Sequence, residues 1–87
     1  MDVRKIIGWN LRRLRVERAI SQERLGLEAD IDRSYIGRIE RGSENVTVAT
    51  LEAVSRVLNV HVSELFAPVD PGAIPLRALK GGRPPHE

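Results

Sequence analysis

The sequence predicts an all-α fold: a compact bundle of five short helices over residues 1–66, followed by an extended tail over residues 67–87. Apolar residues recur at helical spacing in the first part, and no segment there shows the alternation of a half-buried strand. All five prolines and three of the seven glycines follow Phe66, which is typical of an extended tail. Hydrophobic residues make up 41% of the chain, so one small domain can bury a core.

The first helix is expected over residues 3–18, where one apolar stripe recurs at helical spacing. The stripe consists of Val3, Ile7, Leu11 and Leu14. The segment "ISQ" interrupts this pattern, and Ser21 is a favourable N-cap for a second helix over residues 22–29.

A third helix is expected over residues 33–41, with Asp32 as its N-cap and Gly42 in the left-handed conformation at its end. Because only the short turn "ADID" separates the second and third helices, they form a helix-turn-helix unit. Apolar residues hold the two helices together and a glycine permits a close crossing: Leu25, Ile31, Ile36, Ile39 and Gly26.

Two further helices complete the predicted bundle. Thr47 can cap a fourth helix over residues 48–58, which Asn59 ends in the left-handed conformation. Residues 62–66 are expected to form a short fifth helix that closes the core. In the tail, a helical turn at residues 74–80 is the one regular element expected.

The exposed face of the third helix is unusual because it combines arginines with a glycine. Projection at ~100° per residue places Ser34, Gly37, Arg38 and Arg41 opposite the apolar side, with Arg33 at the edge of this face. A glycine inside a helix costs about 1 kcal/mol relative to alanine, so another molecule is expected to approach this face closely. We hypothesise that the face enters the major groove of DNA, where Arg33 and Arg38 form paired hydrogen bonds to guanine. The alternative is a solvated charged face on a small bundle.

The charge distribution agrees with an anionic partner. Net charge is only +2, yet residues 1–18 carry six basic and two acidic side chains, whereas residues 19–45 carry four basic and six acidic. The evidence for an anionic partner is therefore the local positive patch, because the net charge of the whole chain is too small to indicate one.

Several other functions are disfavoured by the sequence. The chain has no cysteine, which excludes disulfides and thiolate metal sites and fits a cytoplasmic location. His61 and His86 are isolated, so no metal site or cofactor is expected. No apolar run approaches the ~20 residues of a membrane span, and no catalytic constellation is present. We therefore expect neither an enzyme nor a membrane protein.

Residues 7–66 resemble the DNA-binding domain of the Xre family, the helix-turn-helix class of Cro and the phage repressors. The first three helices, "IGWNLRRLRVERAISQERLGLEADIDRSYIGRIERG", are similar to that family without a gap, and "TVATLEAVSRVLNVHVSELF" is similar to its last two. The resemblance implies a lambda-repressor-like fold. Asp30 departs from the usual turn glycine, and Gly26 from the usual alanine, which suggests a looser second helix.

The resemblance also implies roles for individual residues. Gln22 would contact a phosphate and often a base, with Ser21 as the helix cap, and Tyr35 would lie near the DNA backbone or a thymine methyl. Glu40 would orient Arg15 toward a phosphate. The remaining contacts divide into base readout by Arg33, Ser34 and Arg38, and phosphate binding by Arg41, Ser43 and Asn45.

The expected function is a sequence-specific, DNA-binding transcriptional regulator that binds a palindromic operator as a homodimer. Its dimer surface is predicted at the C-terminal end of the bundle, at Val60, Val62, Leu65 and Phe66. Within this class a stand-alone repressor, a restriction–modification controller and an antitoxin that also binds a toxin remain open. An adaptor that binds proteins instead of DNA is the alternative from another class, and the side of the first helix around Trp9 is its candidate surface.

Overall fold

The computed structural model describes residues 2–69. Its elements are α1 (Val3–Glu17), α2 (Gln22–Ala29), α3 (Arg33–Glu40), α4 (Val48–Leu58) and a final 3-10 helix (Val62–Phe66). No strand occurs within these residues, so the predicted all-α fold is confirmed. The fifth element is a single 3-10 segment instead of an α-helix.

Local capping sets the helix boundaries. The side chains of Ser21, Asp32 and Thr47 accept hydrogen bonds from backbone N–H groups in the first turns of α2, α3 and α4, as predicted. At the other ends, Asp30 (φ 60°), Gly42 (φ 79°) and Asn59 (φ 58°) adopt the left-handed conformation. Aspartate and asparagine tolerate that conformation better than most residues, which explains why Asp30 can stand where a glycine was expected.

The core lies where all four α-helices and the 3-10 helix meet. Its buried members are Ile7, Leu11, Leu14, Leu25, Ile36, Ile39, Leu51, Val54, Leu58 and Leu65. The predicted stripe of α1 is correct for three of its four residues. Val3 is 58% exposed, as are Arg4 and Lys5 in the same first turn of α1.

Two glycines are required by close approach between segments. A Cβ on Gly8 would lie 2.4 Å from the carbonyl oxygen of Ile39, so α1 packs directly on the backbone of α3. A Cβ on Gly26 would lie 2.5 Å from the carbonyl oxygen of Ile31, in the turn that leads to α3. Alanine does not fit at position 26 in this structure, so the glycine there serves the packing of α2 against the turn.

A buried asparagine ties the end of the bundle to α1. Asn10 is buried, and its Nδ2 donates to the carbonyl oxygens of Leu65 (3.2 Å) and Ala67 (2.9 Å). The 3-10 helix is therefore held by a polar contact as well as by burial of Leu65.

No helix within residues 2–69 is long and apolar enough to cross a membrane. The predicted helical turn at residues 74–80, His86 and nearly all of the predicted tail lie outside the described residues.

Candidate nucleic-acid interface

The N-terminus of α2 and the outer side of α3 border one shallow depression. It is lined by Gln22, Asp32, Arg33, Ser34, Gly37, Arg38 and Arg41. The structure thus brings together Gln22 and most of the residues predicted for the exposed face of α3. They share one surface because α2 and α3 pack through their apolar sides and turn their polar sides outward.

A buried network supports this surface from below. Glu40 is 3% exposed, and its two carboxylate oxygens accept hydrogen bonds from Arg15 Nε (2.6 Å) and Nη2 (3.0 Å). The Oε1 atom of Glu40 also accepts a bond from Gln22 Nε2 (3.0 Å). One carboxylate therefore positions both Arg15 and Gln22, a link to Gln22 that the sequence analysis did not foresee.

Arg15 lies beneath the surface. Its remaining nitrogen, Nη1, donates to the carbonyl oxygen of Ile20 at 2.8 Å, and the residue as a whole is buried. The side chain therefore braces the start of α2 as well as the end of α3. A direct contact between Arg15 and a phosphate stays a prediction.

Gly37 is buried, contrary to its predicted place on the exposed face, because the ends of the Arg41 and Gln22 side chains lie over it. A Cβ built on it would lie 3.4 Å from Arg41 Nη1 and 3.8 Å from Gln22 Oε1, both at the ends of flexible side chains. Packing inside the chain consequently does not require glycine here, in contrast to Gly8 and Gly26. The helix cost of Gly37 has no internal compensation among the described residues.

The N-terminus of α3 carries a fixed negative charge. The Ser34 hydroxyl donates to Asp32 Oδ1 at 2.5 Å, and the Ser34 backbone N–H donates to the same oxygen at 2.7 Å. These bonds, with the positive charge of Arg38, lower the pKa of the Asp32 carboxyl. The Ser34 hydroxyl hydrogen is thereby committed to the cap, which leaves the hydroxyl oxygen as an acceptor for a base or another donor.

Arg38 is held from two directions. Its Nε donates to Glu44 Oε2 at 2.6 Å, and its guanidinium carbon lies 5.4 Å from the centroid of the Tyr35 ring. Arg38 Nη1 and Nη2 donate no hydrogen bond to any residue in the described range 2–69. Glu44 was not among the predicted site residues. An acidic residue six positions after a surface arginine, across a glycine turn, gives little signal of such a pair.

The other predicted contact residues differ in how far they are constrained. Arg33, Arg41 and Asn45 are exposed and form no hydrogen bond or ion pair between side chains within residues 2–69. Ser43 Oγ donates to the carbonyl oxygen of Arg38 at 3.1 Å, so this hydroxyl caps α3. Ser21 caps α2 by accepting from the Arg24 N–H at 2.9 Å.

The prediction is wrong for one of the four residues assigned to the dimer surface. Leu65 is completely buried in the core of the subunit (0% exposed), because the 3-10 helix turns this side chain inward, and it is unavailable to a partner. Val60 is half-buried against the core, whereas Val62 and Phe66 are 37% and 45% exposed. An exposed apolar edge therefore exists, made of Val62 and Phe66.

Trp9 is half-buried, and the Arg13 guanidinium lies 6.0 Å from its ring centroid. The apolar surface around Trp9 is thus smaller than the sequence suggested. Within residues 2–69, no group of three or more histidine or acidic side chains is arranged to hold a metal ion.

Comparisons with known proteins identify the family of this chain. The sequence matches the helix-turn-helix family over residues 11–65. It is 39% identical over 70 residues to the uncharacterized HTH-type transcriptional regulator y4dJ of Sinorhizobium fredii, covering 80% of this chain and 91% of that protein. It is 37% identical over 66 residues to the control protein C.BamHI of Bacillus amyloliquefaciens, covering 75% and 82%.

A comparison with solved structures leads to the same family. The restriction-modification controller protein C.AhdI from Aeromonas hydrophila superposes with a TM-score of 0.71 at 36% identity, over 72% of this chain and 96% of that one. The match to the helix-turn-helix family covers more than half of the chain, and these relatives are covered over most of their length. The chain belongs to the helix-turn-helix family, in its Xre-like Cro/CI type, together with transcriptional regulators and restriction–modification controllers.

Proposed function

We propose that this protein is a non-enzymatic transcriptional regulator that recognises a specific DNA sequence by inserting α3 into the major groove. The observation that carries the proposal is the surface formed by α2 and α3. It offers guanidinium groups to a ligand, it lies over a buried carboxylate that positions Gln22, and it contains a glycine that internal packing does not require.

The chemistry of the surface divides between bases and phosphates. Arg33, and Arg38 through the Nη atoms that bond no other residue in the range 2–69, can each donate two parallel hydrogen bonds to O6 and N7 of a guanine. Gln22, at the N-terminus of α2, is suited to a phosphate, since its side chain is fixed by Glu40 and the helix end is electropositive. Arg41 and Asn45 extend from the turn after α3 and supply further phosphate contacts.

The protein is further proposed to act as a homodimer on a palindromic operator. The recognition helix has eight residues and reaches few base pairs, so specificity is gained by reading two half-sites about one helical turn apart. The exposed edge of Val62 and Phe66 is the proposed contact between subunits. Sedimentation equilibrium of wild type and Phe66→Glu tests this: a dimer that the substitution dissociates supports it, and a monomeric wild type, on and off DNA, contradicts it.

A binding titration against the DNA upstream of the protein's own gene tests the central proposal. Random duplex serves as competitor, and the titration is repeated at two salt concentrations. We expect tight binding that survives the competitor and weakens steeply as salt rises, because phosphate contacts release counterions. Weak binding that is equal on both DNAs would contradict the proposal and favour the protein-binding adaptor.

Control of a restriction–modification operon is the second candidate, and a specific observation favours it. Two of the relatives described above are control proteins, and each is covered over at least four-fifths of its length. A neighbouring pair of methyltransferase and restriction endonuclease genes, with a reporter that responds to this protein through their promoter, would support that role. A neighbouring toxin gene, with co-purification of the two products, would favour the antitoxin instead.

A further inference from the structure

We propose that Glu44 determines specificity at the DNA interface by fixing Arg38 so that both of its terminal nitrogens face a single guanine. This inference rests on the proposed function. It assigns a role in recognition to an acidic residue on a surface otherwise expected to attract DNA, and it makes Glu44 a positioning residue that acts through Arg38.

Two contacts hold the Arg38 guanidinium, one with Glu44 and one with Tyr35. Glu44 Oε2 accepts from Nε of Arg38 at 2.6 Å and engages neither Nη1 nor Nη2. The Tyr35 ring lies 5.4 Å from the guanidinium carbon. A hydrogen bond at one corner of the planar group, together with a ring beside it, restrains the direction of the side chain and the tilt of its plane. The outer edge with Nη1 and Nη2 then remains for a ligand.

That free edge has the donor pattern that guanine requires. Bidentate recognition of O6 and N7 needs two N–H groups that point the same way, and the guanidinium supplies them in a rigid fork. Without a restraint, a long arginine side chain can turn to the nearest phosphate, which carries no sequence information. With Nε bound to Glu44, such a turn breaks an existing ion pair.

The charge of Glu44 adds a penalty for incorrect sequences. Its side chain is half-buried in the turn after α3, beside the surface that DNA would approach, so its carboxylate repels phosphates there. The repulsion is offset as long as Arg38 stays paired with it. Binding that pulls Arg38 away leaves a bare carboxylate near the DNA, and discrimination through such a repulsive element is an established route to specificity.

Arg33 provides an internal comparison. It lies on the same face, and its side chain forms no hydrogen bond or ion pair within residues 2–69, so no such contact in that range restrains its guanidinium. The base preference that depends on Arg38 is therefore expected to be sharper than the one that depends on Arg33.

Selection from a pool of randomised DNA duplexes tests the proposal. The proteins compared are wild type, Glu44→Gln, Arg38→Ala and the double variant, with Glu52→Gln as the matched control. Glu52 also forms an ion pair, with Arg56 on α4, so its substitution removes the same charge away from α3. Thermal unfolding of each variant verifies that it is folded before selection.

The expected result is a loss of preference confined to one base position. Glu44→Gln should lower the preference for guanine there by roughly tenfold, within the range that one bidentate contact supplies, while affinity for random duplex stays equal or rises. Glu52→Gln should select the wild-type sequence. In the Arg38→Ala background, Glu44→Gln should cause no additional change in preference.

Two results overturn the inference while leaving the proposed function intact. One is a Glu44→Gln protein that selects the wild-type sequence with undiminished preference at every position. The other is an altered preference that persists in the Arg38→Ala background, since the effect would then not pass through Arg38. If wild type itself selects no sequence, the proposed function fails, and this inference fails with it.

Discussion

Arg15 and Glu40 form a buried ion pair with two hydrogen bonds, of 2.6 and 3.0 Å, between the last turn of α1 and the last residue of α3. Because Glu40 also accepts from Gln22, the same carboxylate connects the scaffold to the proposed DNA surface. A carboxylate exposed to solvent could be replaced at little cost. This one cannot, because its removal leaves the charge of Arg15 buried without a partner.

Glu40→Gln is therefore expected to destabilise the fold strongly. Breaking a buried ion pair by removing one partner costs about 3–5 kcal/mol, which urea-induced unfolding at pH 7 would measure. Glu28→Gln is the control, since Glu28 pairs with Arg24 on the exposed side of α2 and such pairs contribute about 0–1 kcal/mol. Equal losses of unfolding free energy for the two substitutions would show that the buried Arg15–Glu40 pair contributes no more to stability than an exposed pair.

Gly37→Ala should raise the stability of the fold and lower its affinity for DNA. The methyl group has room among flexible side chains, so replacing a helical glycine should stabilise the fold by up to about 1 kcal/mol. Affinity for the operator should fall nevertheless, because the added methyl group stands where we propose that the backbone of α3 approaches DNA. Thermal unfolding and a binding titration on the same sample would measure both effects.

Gly8→Ala is the matched control for that experiment. Its methyl group would meet the Ile39 carbonyl oxygen at 2.4 Å, so we expect a loss of about 1–3 kcal/mol from overpacking despite the better helix propensity. If Gly37→Ala bound the operator as tightly as wild type, glycine at position 37 would not serve close approach to DNA.

Asp32→Asn should produce a pH-dependent loss of stability. The pKa of Asp32 is lowered in the folded state, mainly by the bonds from Ser34, so the carboxylate stabilises the fold at pH values above its unfolded-state pKa, near 3.8. The contribution disappears as pH falls through the lower folded-state pKa.

Urea unfolding of wild type and Asp32→Asn from pH 7 down to the acid limit of the fold tests this effect. Asparagine remains a good N-cap, so the substitution isolates the charge. The difference in unfolding free energy should be constant from neutral pH to about pH 5 and then shrink. A difference that grows toward acid pH would contradict the lowered pKa of Asp32.

Arg38→Ala and Gln22→Ala should weaken DNA binding in different ways. Loss of a bidentate base contact costs about 1–3 kcal/mol and relaxes preference at one base position. Loss of a phosphate contact weakens binding on all sequences with less change in preference. Competition titrations with single-base variants of the operator would distinguish them, and equal losses on every sequence for Arg38→Ala would contradict its assignment to base readout.

The positions of side chains on the proposed interface were predictable from sequence where neighbours along the chain supply the signal. The exposed face of α3 follows from helical periodicity, since one turn places Ser34 and Arg38 beside each other whatever the rest of the fold does. The link from Gln22 to Glu40 joins residues 18 positions apart, and no local rule indicates it. The contact of Glu44 with Arg38 was not predicted, because it depends on how the turn at Gly42 directs the chain back beside α3.

The sequence by itself determined α2, α3 and α4 with their caps and left-handed ends, because these depend on hydrogen bonds and steric limits within a few residues. Only the tertiary structure decided which residues became inaccessible. Gly8 had to be glycine because α3 crosses there, and Asn10 and Leu65 turned inward because the 3-10 helix closes over α1. Such outcomes depend on contacts between segments distant along the chain, and single-residue preferences do not encode those distances.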